Sequence, residues 1–328
     1  MADSVVVQIL RTFRAQMDAL DDSLMTELGV KWLRVEEHLQ SEMDALAEEM
    51  ARRRAEGEEI TEQMVWKSER YQQLQWQMKA ESAQFNQDAA RTIEEYQRRG
   101  ATLGIDAANA AIEAGGTGPL SAAWNRINVQ AVEAMMGLAG DGSPLYLLLA
   151  KEYGSAVDGL LQALITGLGS GQSVKQIASA MVEGFGMGLD RAILIARTET
   201  QRAYRMGSTE QYRESGVVTG FMRLVKKDGA CLGCLLLDGE VFDTADELDD
   251  HPNGRCTAIP IVRGVDPPTW EKGPDWLKNQ SEAKQREIMG DARYELWKSG
   301  TPLEAMTHKV HDEVWGDSPA PTPIGDLQ

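Results

Sequence analysis

All three cysteines of this chain fall within 26 residues, as Cys231-Leu232-Gly233-Cys234 and then, sixteen residues on, His251-Pro252-Asn253-Gly254-Arg255-Cys256. The spacing, C-x2-C-x16-H-x4-C, is that of two short chelating turns joined by a hairpin-length loop. A soft divalent ion such as zinc takes four nitrogen or sulfur donors in a tetrahedron, and this arrangement supplies them with little strain. Gly233 suits a tight turn whose backbone N–H groups point at thiolate. Cys231, Cys234, His251 and Cys256 are therefore the candidate ligands, with zinc as the cofactor. Its role is structural, because four protein donors leave no open position for a water nucleophile. The alternative is three unrelated reduced thiols beside a surface histidine. An odd number of cysteines makes no disulfide framework, which points to a reducing compartment.

Other chemistry has weaker footing. The loop between the two turns carries Asp238, Glu240, Asp243, Asp246, Glu247, Asp249 and Asp250 with no basic residue. Their spacing is not that of an EF-hand, so a solvated acidic face is expected. Asp250-His251 with Asn253 is similar to the ββα-metal nucleases, the enzymatic alternative, yet His251 is wanted as a zinc ligand and a second histidine is lacking nearby. His38 stands alone, and His308 and His311 lie three apart on an expected last helix. No Walker-type phosphate loop occurs, and four scattered histidines define no Ser/His/Asp site. The chain is read as a non-enzyme. In Arg197-Thr198-Glu199 a catalytic role is tempting, but Glu199 shares a helix face with Arg202 at i,i+3, so a structural ion-pair or capping role is expected.

With 33 basic and 51 acidic residues the net charge is −18, which removes general attraction to nucleic acid or anionic membrane. Residues 191–227 form the one local basic stretch, read as a solvated helix face and as the only candidate contact for DNA or an acidic partner. No segment reads as a signal or a membrane span, and a cytosolic origin without an anchor is expected.

These residues need elements to hold them. From Phe13 the apolar positions Met17, Leu20, Leu24, Leu28, Trp32, Val35, Leu39, Met43, Leu46 and Met50 advance 37 residues in ten steps, about 3.7 per step, which predicts one long and nearly straight helix. After a turn at 55–59, Thr61 to Arg99 repeats the pattern through Leu74, Met78, Phe85, Ala89 and Tyr96, so the two pack as a hairpin. The second helix has a glutamine-rich polar side. Breaks are expected at Gly115–Pro119 and Gly140–Gly142, an N-cap at Ser143-Pro144, and a capping box at Ser173 and Gln176. That helix is expected to end at Gly184, Gly186 and Gly188, and another to span 190–215 with Gly216 closing it. Short β-like runs follow at Phe221–Val225, Val241–Phe242 and Ile259–Val262. The fold class is α+β: long helices, then a small zinc-clipped module containing β-structure, then a loop-rich tail. Nine of eleven prolines lie from Pro252 onward, and Pro319, Pro321 and Pro323 suit an extended or disordered end.

In order, Ala196-Arg197-Thr198-Glu199-Thr200, Gly207, Tyr212, Gly216-Val217, Asp228, Cys231, Cys234, Leu237-Asp238-Gly239 and His251-Pro252-Asn253-Gly254-Arg255-Cys256 make a set that resembles the phage Mu F-like minor head proteins, the phage head-morphogenesis family. The resemblance covers about residues 174–264, with Ile288-Met289-Gly290 and Tyr294–Gly300 similar to the family's trailing segment. With the breaks read above, the chain divides into a long-helix hairpin at 1–115, a helical region at 116–189, the Mu F-like module with its Cys/His site at 190–264, and a loop-rich segment with a short helix and extended tail at 265–328. The resemblance implies a minor capsid protein of the virion, present in few copies near the portal vertex after assembly in the host cytoplasm, assisting head morphogenesis or DNA delivery. Its implied partners are the portal or major capsid protein and copies of itself, with weak or no direct nucleic-acid binding and no membrane. The contact is expected within residues 1–170, where Trp32, Trp66, Trp76 and Trp124 are large anchors. One departure stands out. The family's knuckle reads His-Pro-Asn-Cys-Arg-Cys, and Gly254 replaces its first cysteine; a site built on His251 and Cys256 is unchanged by this, and one built on the missing cysteine is weakened.

Overall fold

The computed structural model describes residues 3–116, 125–136, 157–159, 161–170, 172, 174–248, 250–312 and 316–327. Trp124, the Gly140–Gly142 break, the Ser143-Pro144 cap, Ser173 and Asp249 lie outside them. The architecture is α+β, mostly helical with a small antiparallel sheet. Among the described residues no helix is long and apolar enough to cross a membrane. The chain forms two compact units, one of Met1–Leu20, Gln97–Met136 and Thr198–Gln328, the other of Asp21–Tyr96 and Gly137–Arg197.

The apolar stripe of the front makes α1, Val5–Ala55, which the turn at Gly57 ends with φ at 91°. α2, Glu62–Lys67, starts at the Thr61 cap, and Ser68 in extended conformation separates it from α3, Glu69–Gly115. Within the unit of 21–96 and 137–197, the α1 and α3 stripes close on each other as the periodicity predicts. Leu28, Met43 and Leu46 are buried from one helix, Tyr71, Met78 and Ile93 from the other. Trp32 meets Phe85 edge-on with ring centroids 4.8 Å apart. Arg54 donates to the Leu168 carbonyl at 2.8 Å, tying down the helical stretch 161–169. None of the glutamines on the polar side of α3 is buried.

The other unit holds α4, Val129–Met136, and the end of α5, Val174–Ser215. α5 is continuous through Gly184, Gly186 and Gly188, which were expected to end a helix. Each glycine costs a helix about 1 kcal/mol relative to alanine, but none removes a hydrogen-bond donor as proline would. Gly216, with φ at 69°, does end it. β1, Val218–Leu224, is central in a sheet of order β2-β1-β3, with β2 at Val241–Asp243 and β3 at Thr257–Val262, both antiparallel to it. Phe221 pairs with Phe242 on one side and Pro260 on the other, and a bulge lies between Val218 and Gly220. Tyr212 of α5 packs on Phe221 and donates to the Ala258 carbonyl at 3.1 Å, so helix and sheet share one core with Ile112 and Leu248. A short α6, Leu232–Leu236, sits between β1 and β2.

From 265 onward, where loops, one short helix and an extended tail are expected, the chain has more order. α7, α8 and α9 at Gly273–Lys278, Glu282–Met289 and Asp291–Lys298 precede a hairpin of β4, Thr307–Asp312, and β5, Gly316–Pro321. Leu277, Met289, Tyr294 and Met306 close a second core over Leu232. The prolines do make the end extended, and pairing with β4 fixes it, since Pro319 and Pro321 fit an outer strand. His308 and His311 therefore stand on a strand rather than a helix. Three apart there, they point to opposite faces and form no metal pair.

Candidate metal centre

Cys231 caps α6: its sulfur accepts the Cys234 backbone N–H at 3.3 Å, the geometry that the Cys-x2-Cys spacing predicts. Gly233 brings the turn close to the outer hairpin, since a Cβ there would sit 3.2 Å from the Ala320 nitrogen. The second turn begins where Gly254 donates to the His251 carbonyl at 2.8 Å, with Asn253 in the left-handed region at φ 62°. Asn253 donates its backbone N–H to Thr198 Oγ1 at 2.9 Å, which ties the turn to α5.

The four expected ligands meet here. Ligand atoms of Cys231, Cys234 and His251 all lie within 4.8 Å of one another, as do those of Cys234, Asp250 and Cys256, with Cys234 common to both sets. Bonds of about 2.3 Å in a tetrahedron put sulfurs about 3.8 Å apart, and the cluster as a whole could hold a metal ion. His251 Nδ1 lies 2.8 Å from the Pro252 carbonyl, and only a protonated Nδ1 satisfies that contact. Nε2 is thereby left to face the Cys231 sulfur at 3.3 Å, free to ligate. Hydrogen bonding from Cys234, with help from His251, pulls the Cys231 thiol well below its ordinary range. The Cys231 side chain raises His251 to about 9. Cys234 moves the opposite way, held protonated by its bonds to Cys231 and Cys256 and by burial.

Asp250, read from the sequence as part of a solvated acidic face, is buried at the middle of the centre. Its carboxylate accepts the backbone N–H of His251 at 3.0 Å and of Cys256 at 3.1 Å, and the Cys234 thiol lies 3.6 Å away. Arg205 of α5 reaches it at 3.4 Å and the Gly254 carbonyl at 3.3 Å. A side chain at 254 would enter the same carboxylate, so this glycine leaves the room that Asp250 fills. Asp238 is internal as well, accepting from the Val225 N–H at 3.0 Å and from Trp270 Nε1. Glu240, Asp243, Asp246 and Glu247 do stay at the surface or half-buried.

Arg223 of β1 is fully buried, and its Nη1 and Nη2 find no acceptor in hydrogen-bonding geometry. Burial opposes its charge, while Cys256, Asp250 and Cys234 support it and raise its pKa. Burial likewise lowers the pKa of Arg205, against the pull of Asp250. A divalent ion with three thiolates, a neutral imidazole and the Asp250 carboxylate carries a charge of minus two, which the two arginines cancel. The orphaned donors of Arg223 thus suit a metal-loaded, thiolate form of the centre. No spacing pattern singles out these arginines, which are expected on a solvated basic face along 191–227. Arg202, on that face, is exposed and pairs with buried Glu199 at 3.8 Å, the expected i,i+3 contact. Comparison with known families, with curated proteins and with solved structures finds no match.

Proposed function

We propose that this chain is a minor head protein of a phage virion, of the Mu F-like kind, and that one structural zinc clips its C-terminal half through Cys231, Cys234, His251 and Cys256. The observation that supports the reading is that those four side chains, from two turns sixteen residues apart, fall into two adjoining groups of ligand-spaced atoms that share Cys234. Two other residues of the same ordered set are mutual partners, Thr198 and Asn253, while Tyr212 bonds the β3 backbone and Gly239, at φ 94°, gives its N–H to the Arg223 carbonyl at 2.8 Å. Bound there, zinc cross-links the α6 turn to the knuckle and contributes folding free energy to this region. Asp250 stands outside that sphere, holding the N–H groups of the knuckle and the charge of Arg205. The reading is non-enzymatic, with the portal or major capsid protein as partner and a place near the portal vertex.

Elemental analysis of protein purified without added metal tests the metal part. The expected result is close to one zinc per chain, with Cys234→Ser losing it and loosening 220–264 in hydrogen exchange while α1 stays protected. Zinc near zero, with all three thiols freely titratable in the folded chain, overturns it. Quantitative mass spectrometry of purified particles tests the role: few copies per particle are expected, and absence from particles defeats the assignment. Magnesium-dependent nicking of DNA by the purified chain would restore the nuclease reading.

A further inference from the structure

A cleft of about 400 Å³ opens in the unit of 1–20, 97–136 and 198–328, between the start of α1, the end of β1 and the knuckle. Five basic side chains line it, Arg11, Arg14, Lys226, Lys227 and Arg255, against the single carboxylate of Asp18. In a chain of net charge −18 that gathering is not a by-product of composition. Asp18 is already engaged by Arg14 at 3.1 Å and Lys226 at 2.7 Å. Arg11 is ion-paired with Asp3, and Lys227 reaches Glu271 at 3.7 Å. Arg255 is half-buried and has no ion-pair partner among the described residues. Arg14 is more than nine-tenths buried, gives Nη1 to Gln201 at 2.6 Å, and leaves Nε without an acceptor. The wall between these charges is aliphatic, from Leu10, Ala15, Leu224 and Val225.

We propose that this cleft binds an acidic segment of a partner protein, in which Asp or Glu residues alternate with aliphatic ones. Arginine forks match carboxylates in two-point contact, and the aliphatic wall receives the neighbouring side chains. Nucleic acid fits less well, because the lining offers no aromatic ring on which a base could stack. The inference stands apart from the metal centre and from the head-protein reading: neither zinc nor a virion is needed for it.

The test is fluorescence anisotropy with the full chain and four labelled probes of similar length: a mixed Glu/Leu peptide, polyglutamate, a mixed Lys/Leu peptide and oligodeoxythymidylate. The Glu/Leu peptide is expected to bind most tightly, to weaken with salt, and to lose about tenfold or more in affinity in Arg255→Ala. Arg11→Glu gives the same loss from a position on α1 that touches no metal ligand, so a damaged knuckle is not the reason. Circular dichroism of both variants checks that the fold is kept. No binding of the Glu/Leu peptide up to millimolar concentration overturns the proposal. So does affinity that neither substitution changes, equal binding of polyglutamate or Lys/Leu, or tighter binding of the oligonucleotide.

Discussion

A Cβ at position 254 would fall inside the Asp250 carboxylate, while the backbone there has no left-handed twist to demand glycine. The two residues compete for one volume. Gly254→Ala is therefore expected to destabilise the chain by about 2 kcal/mol, as overpacking does. Asp250→Ala should cost about 3 kcal/mol, since it strips acceptors from Arg205, from the buried Cys256 N–H and from the half-buried His251 N–H. The double variant should cost little more than Asp250→Ala alone, because the obstructing carboxylate is gone. Denaturant unfolding of the three proteins measures this coupling, and simple additivity would show that position 254 is not limited by the carboxylate. Cysteine and histidine were legible in the sequence because their types and spacing are themselves the chemistry. Asp250 was not, being one of seven acids in a run where nothing local distinguishes a buried carboxylate from a solvated one. Its partner Arg205 lies 45 residues away on α5, and only folding brings the two together.

At the scale of elements, periodicity was enough for the long helices and the strands, and it failed where backbone approach decides. α3 runs to Gly115, where the first break is expected, and its stretch beyond Arg99 crosses α5 at glycines. A Cβ at Gly100 would stand 2.8 Å from the Thr200 carbonyl oxygen, one at Gly104 would enter the Tyr204 carbonyl, and one at Gly207 would enter that of Ala101. Three glycines thus let two backbones touch, and neither helix's pattern of apolar residues announces it. Alanine at such a site gains about 1 kcal/mol of helix propensity and meets rigid main chain. Packing should win: Gly104→Ala is expected to lower stability by about 2 kcal/mol or more. Gly29 in α1 is the control, since nothing lies within 4 Å of a Cβ there. Gly29→Ala should raise stability by about 1 kcal/mol. Thermal unfolding of both variants gives opposite shifts if the crossing is as close as described, and two upward shifts would refute it.

On the scale of the whole chain, charge and surface decide what can approach. Counterion release gives a chain of net charge −18 no general hold on DNA, and two arginines of its one basic stretch are spent inside the metal centre. In the proposed reading the partner is a protein, and the tryptophans expected to anchor it divide sharply. Trp32 is 3% exposed against Phe85, whereas Trp66 is 55% and Trp76 74% exposed. Removing Trp32 should cost about 3–5 kcal/mol of stability, the penalty for emptying a core aromatic site. Trp66→Ala and Trp76→Ala should change stability by no more than about 0.5 kcal/mol, as surface substitutions do. Their effect should fall instead on association: exposed indoles are strong anchors once covered, so a complex with a portal protein should weaken about tenfold or more. Co-purification and titration of the two variants with the portal protein read this out. If both bind as the unaltered chain does, the exposed indoles of α2 and α3 are not the face that docks. The acidic-peptide cleft, whose walls lie in the other unit, would then carry the partner alone.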